Sequence, residues 1–228
     1  MSAEFFILFT APLSILIPIG LIYSSEQGHK KYTKRAVIFT LLWLIITYIL
    51  ADRGWLHDFS SMPPKFIFIF PVMVVFSILI VRSEIGDLII KKNSVYTLIG
   101  LQGFRLLPEY FLSLAYYEAL APIQMTWHGR NWDVITAIVA ILLFLGGRYI
   151  LISARIVGYM FSILGMGLLL NIFVIAMLSM PTPFRYFMNN PANTFITDAP
   201  YIWLPTVWVF VAIFLHFLLL KKLYHLKI

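Results

Sequence analysis

Cysteine is absent from all 228 residues, which excludes disulfides, thiolate metal sites and a cysteine nucleophile. Charge is scarce as well. Asp, Glu, Lys and Arg make up 12% of the chain, against about 25% in an average soluble domain. A water-soluble globule, a disordered chain and a small disulfide scaffold are thereby excluded. What fills the space instead is hydrocarbon, since 61% of residues are apolar. Such a chain needs lipid as its solvent, and 228 residues suffice for several spans of about 20 each.

Seven apolar runs answer to that length: residues 4–23, 36–51, 64–81, 96–120, 132–146, 156–180 and 201–220. They do not alternate with the two-residue period of a membrane barrel, so each is predicted to be a helix. The fold expected is an all-α integral membrane protein, a seven-helix transmembrane bundle forming one domain over residues 1–228. The weakest boundary is Gly146-Gly147-Arg148, read as a turn between spans five and six. Met1-Ser2-Ala3-Glu4 lacks the basic start of a secretory signal, so the first run is expected to be a retained helix.

The net charge of +7 carries orientation rather than nucleic-acid binding. After spans one, three and five and in the tail lie Lys30, Lys31, Lys34, Arg35, Arg82, Lys91, Lys92, Arg148, Arg155, Lys221, Lys222 and Lys227. The other side has only Arg53, Lys65, Arg130 and Arg185. Twelve against four places the N-terminus outside and the C-terminus inside, in the plasma (inner) membrane. Trp55, Trp127, Trp132 and Trp203 fall near the outer boundary, as an aromatic belt does.

Span four holds the costly groups. Arg105 and Glu109 are four residues apart on one helix face and are expected to pair. Gln102 and Ser113 extend that stripe, with Tyr116 near it and Glu118 half a turn away toward the outer boundary. A lone Arg at mid-bilayer costs about 2.5–3.5 kcal/mol on insertion scales, so the stripe should face the interior. Pro108 frees the carbonyl of Phe104 and weakens the helix there. Asn171 in span six and His216 in span seven are candidates to complete an interior binding site.

A second constellation belongs to the outer connections. His57 follows span two; His128, Arg130, Asn131 and Asp133 follow span four; Arg185 lies in the last outer loop, residues 181–200. Together they predict an outer vestibule, with Asn131 as a helix cap and the long last loop as a lid or plain connection. No His and carboxylate spacing matches a metal motif, and no cofactor is expected. Small residues at Ala154, Gly158, Ser162 and Gly165 mark a close-packing stripe on span six, used within the chain, in a homo-oligomer or with a partner membrane protein.

Seven spans with an outside N-terminus is the topology of rhodopsins, but residues 201–220 contain no lysine for a retinal Schiff base. Small seven-helix sugar carriers have Pro-Gln motifs and an internal repeat, neither of which occurs here. The reading that follows is binding or translocation of a small solute or ion, with Arg105 holding an anionic group and Glu109 as counter-ion or proton acceptor. The alternatives are an enzyme acting on lipid at the outer leaflet through His57, His128 or Asp133, and an assembly subunit of a membrane complex.

Overall fold

The computed structural model describes residues 1–26 and 30–226, together with the backbone but not the side chain of Arg148. Lys227 therefore lies outside the described residues. Helices account for all regular structure among them.

The first run forms α1 (Ala3–Ser14) and α2 (Leu16–Ser25), which bend at Ile15. Pro18 has no N–H for the carbonyl of Ser14, which accounts for the interruption there. Next come α3 (Lys31–Asp52) and α4 (Ile69–Arg82), the latter entered through a 3-10 turn at Lys65–Phe68. A short helix α5 (Glu84–Lys92) follows. It has Glu84 and Asp87 in its first turn and Lys91 and Lys92 in its last, the charge order that a helix dipole favours.

The fourth run is broken in the middle. It comprises α6 (Val95–Leu101), a 3-10 turn over Gln102–Arg105, and α7 (Leu106–Tyr117). The tight turn reaches Phe104, whose carbonyl loses its partner to Pro108. The chain continues as α8 (Val134–Gly146), α9 (Ala154–Leu178) and α10 (Phe210–His225), with a wider π-helical turn, Leu204–Val209, leading into the last. A 3-10 turn at Gly147–Tyr149 separates α8 from α9, so the two runs are distinct helices.

Five helices are long and apolar enough to cross a membrane among the described residues: Ala3–Ser25, Lys31–Asp52, Lys65–Arg82, Ala154–Leu178 and Leu204–His225. The other two expected spans fall short for different reasons. Residues 95–117 are interrupted and contain Arg105 and Glu109. Helix α8 has 13 residues, about 20 Å of helix against a hydrocarbon core of about 30 Å.

Contacts between connections define two ends. At one, Lys92 donates to the carbonyl of Ser24, Lys221 to that of Val81 and Lys222 to that of Ile90. Lys221 also pairs with Asp87 at 2.8 Å and holds that carboxyl below its usual range, against a smaller effect of burial. At the other end the amide of Ala3 donates to Glu118, His57 meets Asp198, and Asn189 donates to Gln124. The loop over residues 181–200 is an ordered lid there. Tyr186 and Phe187 donate to the carbonyl of Leu178, Asn193 to that of Ser179, and Phe195 and Ile196 are buried beneath.

The centre of the bundle is α10, which packs on α4, α5, α6 and α9. The small-residue stripe of α9 is used in this contact. A Cβ on Gly158 would lie 2.6 Å from Leu223, and one on Gly165 would lie 2.6 Å from the ring of His216. The close approach of α9 and α10 leaves no room for a methyl at Gly165 against the His216 ring, and at Gly158 one would have to push the end of Leu223 aside. Gly158 and Gly165 of the stripe thus face this chain's own last helix, Ser162 is buried and Ala154 is half-buried.

Candidate functional site

Arg105, expected to pair with Glu109, takes a different carboxylate. Its Nε donates to Asp133 Oδ2 at 2.9 Å and its Nη2 to Asp133 Oδ1 at 2.5 Å, a two-pronged contact between buried groups. The i to i+4 spacing placed Glu109 on the right face, but a carboxylate arriving from another helix fits the guanidinium fork better than one on the same helix. Asp133 immediately precedes α8. Because that helix is short, the residue at its head reaches the depth of Arg105 instead of lying in an outer vestibule.

The third nitrogen of Arg105 is also used. Nη1 donates to the carbonyl of Gly165 at 3.2 Å and meets His216 Nε2 at 3.3 Å. With Nε2 accepting, the His216 proton sits on Nδ1, which has no partner. The ring stacks on Phe161 with centroids 5.8 Å apart. Thr136 Oγ1 donates to Asp133 at 3.1 Å. Helices α8, α9 and α10 and the Gln102–Arg105 turn are thus tied at one point by one side chain.

Glu109 belongs to a second, adjoining set. Asn131 Nδ2 donates to both of its oxygens, at 3.0 and 2.8 Å, and to the carbonyl of Met125 at 3.1 Å. Asn131 Oδ1 accepts the amide of Asp133, so this residue ties the head of α8 inward rather than acting as a simple cap. No cation lies within ion-pair distance of Glu109 among the described residues. Arg105, Glu109, Asn131, Asp133 and His216 are all at most 4% exposed. The cluster is buried.

Around it several polar atoms lack partners: Gln102 Oε1, Ser113 Oγ, Ser162 Oγ and His216 Nδ1. Gln102 does donate from Nε2 to the carbonyl of Ala212 at 3.1 Å. Asn171 stays apart from this group. It donates to the carbonyl of Arg130 at 2.9 Å, toward the lid end.

The expected outer vestibule divides. Asn131 and Asp133 go inside, while His57, His128 and Arg130 are exposed and Arg185 is half-buried. Arg130 lies over the ring of Phe187 at 5.3 Å, and Arg185 spends its donors on the carbonyls of Phe187 and Asn189. His128 Nε2 accepts the indole N–H of Trp127. His57 Nδ1 contacts Asp198 at 2.7 Å and Thr197 at 3.1 Å, and its Nε2 has no hydrogen-bond partner among the described residues. Beside it, Asp58 is held well below the usual carboxylate range by the Ser60 hydroxyl, then by Lys65. No group of three or more His, Asp or Glu among the described residues could hold a metal ion.

Two cavities lie elsewhere. One, of about 480 Å³, sits between α4, α7, α9 and α10 beneath the lid residue Ile196. No ionisable side chain lines it. Met125 joins it to the charge cluster, since its side chain lines the cavity while its carbonyl accepts from Asn131. The other, of about 350 Å³, lies between α2, α3, α4 and α10 and has Arg35 at its rim. Neither cavity was legible in the sequence, because each depends on how helices splay.

A family profile described as Domain of unknown function (DUF8737) matches residues 62–224, well over half of the chain. The chain belongs to that family. The matched stretch contains the entire Arg105 cluster and all of the larger cavity's walls, whereas α1 to α3 and His57 precede it. No curated protein matches, and no solved structure does.

Proposed function

We propose that this family member is a multi-pass protein of the plasma membrane, with seven spans and an outside N-terminus, that binds an apolar or amphipathic molecule of lipid type. The observation that carries the reading is the larger cavity: about 480 Å³ of space walled by Phe66, Phe173, Met166, Met177, Ile213 and others, without one charged group. Ligand cavities run to about 300–1,000 Å³, and a wall of this composition favours hydrocarbon over a hydrated solute. The small-solute expectation is thereby narrowed to an apolar one. Arg105 does not line this cavity; it ties α8, α9 and α10 together beside it and is not the ligand's anion partner. The twelve-to-four distribution of basic residues supports the orientation, and the split helix over residues 95–117 and the short α8 supply the remaining two spans. A broken or short helix is acceptable in lipid where protein covers its freed polar groups, as the Arg105 cluster does here.

Gly167 provides the test. A Cβ there meets nothing within 4 Å, and the residue lines the larger cavity, so a leucine in Gly167→Leu starts from open space at the cavity wall. A photoreactive fatty acid should label wild-type protein at Met166, Phe173 or Met177 and lose that labelling in Gly167→Leu. Labelling spread evenly over lipid-facing residues, or unchanged by the substitution, would sink the proposal.

A second reading, chemistry at the outer surface, is favoured by His57. With Nδ1 on Asp198 and Nε2 unpartnered among the described residues, the imidazole has the arrangement of a general base. If lipid turnover is found and is lost in both His57→Ala and Asp198→Asn, this reading replaces simple binding.

A further inference from the structure

The smaller cavity differs from the larger in one decisive respect. One end carries a cation. Arg35 lies on the first turns of α3, is exposed, and has no ion-pair or hydrogen-bond partner among the described residues. From Arg35 the crevice runs inward to Trp43, eight residues or about 12 Å along the helix. Its walls are Pro18, Phe39, Phe76, Ile80, Val207 and Phe214, with Phe39 and Phe76 stacked at 4.2 Å across α3 and α4. At the inner end Trp43 Nε1 donates to the carbonyl of Thr206, so the indole N–H is satisfied within the protein, and the small hydroxyl residue Thr40 lies in the wall beside it.

The acidic groups nearby are already engaged. Glu26 accepts the amides of Tyr32 and Thr33 and the Thr33 hydroxyl, which hold its carboxyl down although burial pushes the other way. Glu84 accepts the Tyr32 hydroxyl at 2.6 Å. Arg35 is left to a ligand, with Lys31 and Lys34 in the same turn of helix to add positive potential.

We infer that this crevice binds an anionic phospholipid, with one acyl chain between α3, α4 and α10 and the phosphate on Arg35. A guanidinium at the boundary and hydrocarbon below it match that molecule's two ends, and basic pockets between helices on the cytoplasmic side bind such head groups elsewhere. A neutral lipid would fill the crevice but leave the cation unpaired.

The test is native mass spectrometry of the purified full chain, delipidated in detergent and titrated with phosphatidylglycerol or phosphatidylcholine. Wild type should prefer phosphatidylglycerol about fivefold, the equivalent of about 1 kcal/mol for one interfacial cation. Arg35→Gln should bring the two lipids to parity, and Ala36→Trp, which obstructs the crevice, should remove the tightest-bound lipid. Arg53→Gln at the opposite end should change nothing, and Gly167→Leu in the other cavity should leave the preference intact. Equal binding of both lipids by wild type overturns the inference. So does a preference that survives Arg35→Gln but falls with Lys31→Gln and Lys34→Gln, which would indicate a diffuse basic rim without a seat.

Discussion

Helix α3 and the last helical segment, Leu204–His225, each have 22 residues and are similarly apolar, yet the most apolar window is 11% buried in the first and 61% buried in the second. Hydropathy therefore marks a helix that belongs in lipid without saying where in the bundle it stands. Polar handles decide that. The last segment brings Thr206, Trp208 and His216 inward, each with a partner: Trp43 on the Thr206 carbonyl, Ser14 on Trp208, Arg105 on His216. Within its apolar stretch helix α3 brings the Trp43 indole and the Leu44 carbonyl to the last segment, while Thr47 bonds only within its own helix and Tyr32 and Thr33 make their contacts at the helix start. One helix is clamped, and the other leans against a crevice.

The strongest way to break this contrast is to remove the clamp's anion. Asp133→Ala leaves a buried guanidinium without a carboxylate and should cost about 3–5 kcal/mol, read as a large fall in melting temperature in detergent. Arg105→Leu combined with Asp133→Asn should recover much of that loss, because no buried charge is then orphaned. Next is Gly165→Ala. Its new methyl would meet the His216 ring at 2.6 Å, and overpacking of this kind should cost about 1–3 kcal/mol. A substitution on the loose helix should matter less. Trp43→Phe removes one hydrogen bond to Thr206 and should cost about 0.5–1.5 kcal/mol, with faster amide exchange confined to α3.

The smallest effect expected is on pH dependence. Lys221 lowers the Asp87 carboxyl, so the pair's contribution is complete above the ordinary carboxylate range and fades as pH falls through the lowered value. Unfolding curves of wild type and Asp87→Asn should diverge above about pH 4 and converge in stronger acid. Asp87 is nearly half exposed, so the divergence should be slight.

The parts of this arrangement legible from residues were those set by cost. An arginine in an apolar run must be compensated inside the protein, and Arg105 is. A Gly-Gly pair suggests a turn, and α8 and α9 separate there. The partner of Arg105 was not legible. A neighbour on the same helix competes with every carboxylate the fold can bring up, and Asp133 arrives only because α8 begins deep. Asn171 and Asn131 show the same asymmetry. Both are amides near apolar runs, but one reaches the carbonyl of the exposed Arg130 and the other a buried carboxylate. Cavities leave no mark on a linear pattern, since Gly167 and Gly165 differ only in what stands opposite them.

The wide turn at Leu204–Val209 sets the phase of everything after it. An α-helix advances about 100° per residue, so a turn holding one residue too many rotates the downstream face by that amount relative to the upstream one. Upstream, Trp203 docks on the carbonyl of Leu44; downstream, His216 docks on Arg105. Deleting a single residue between them would restore ideal winding and force a choice, since the two ends could no longer be seated together.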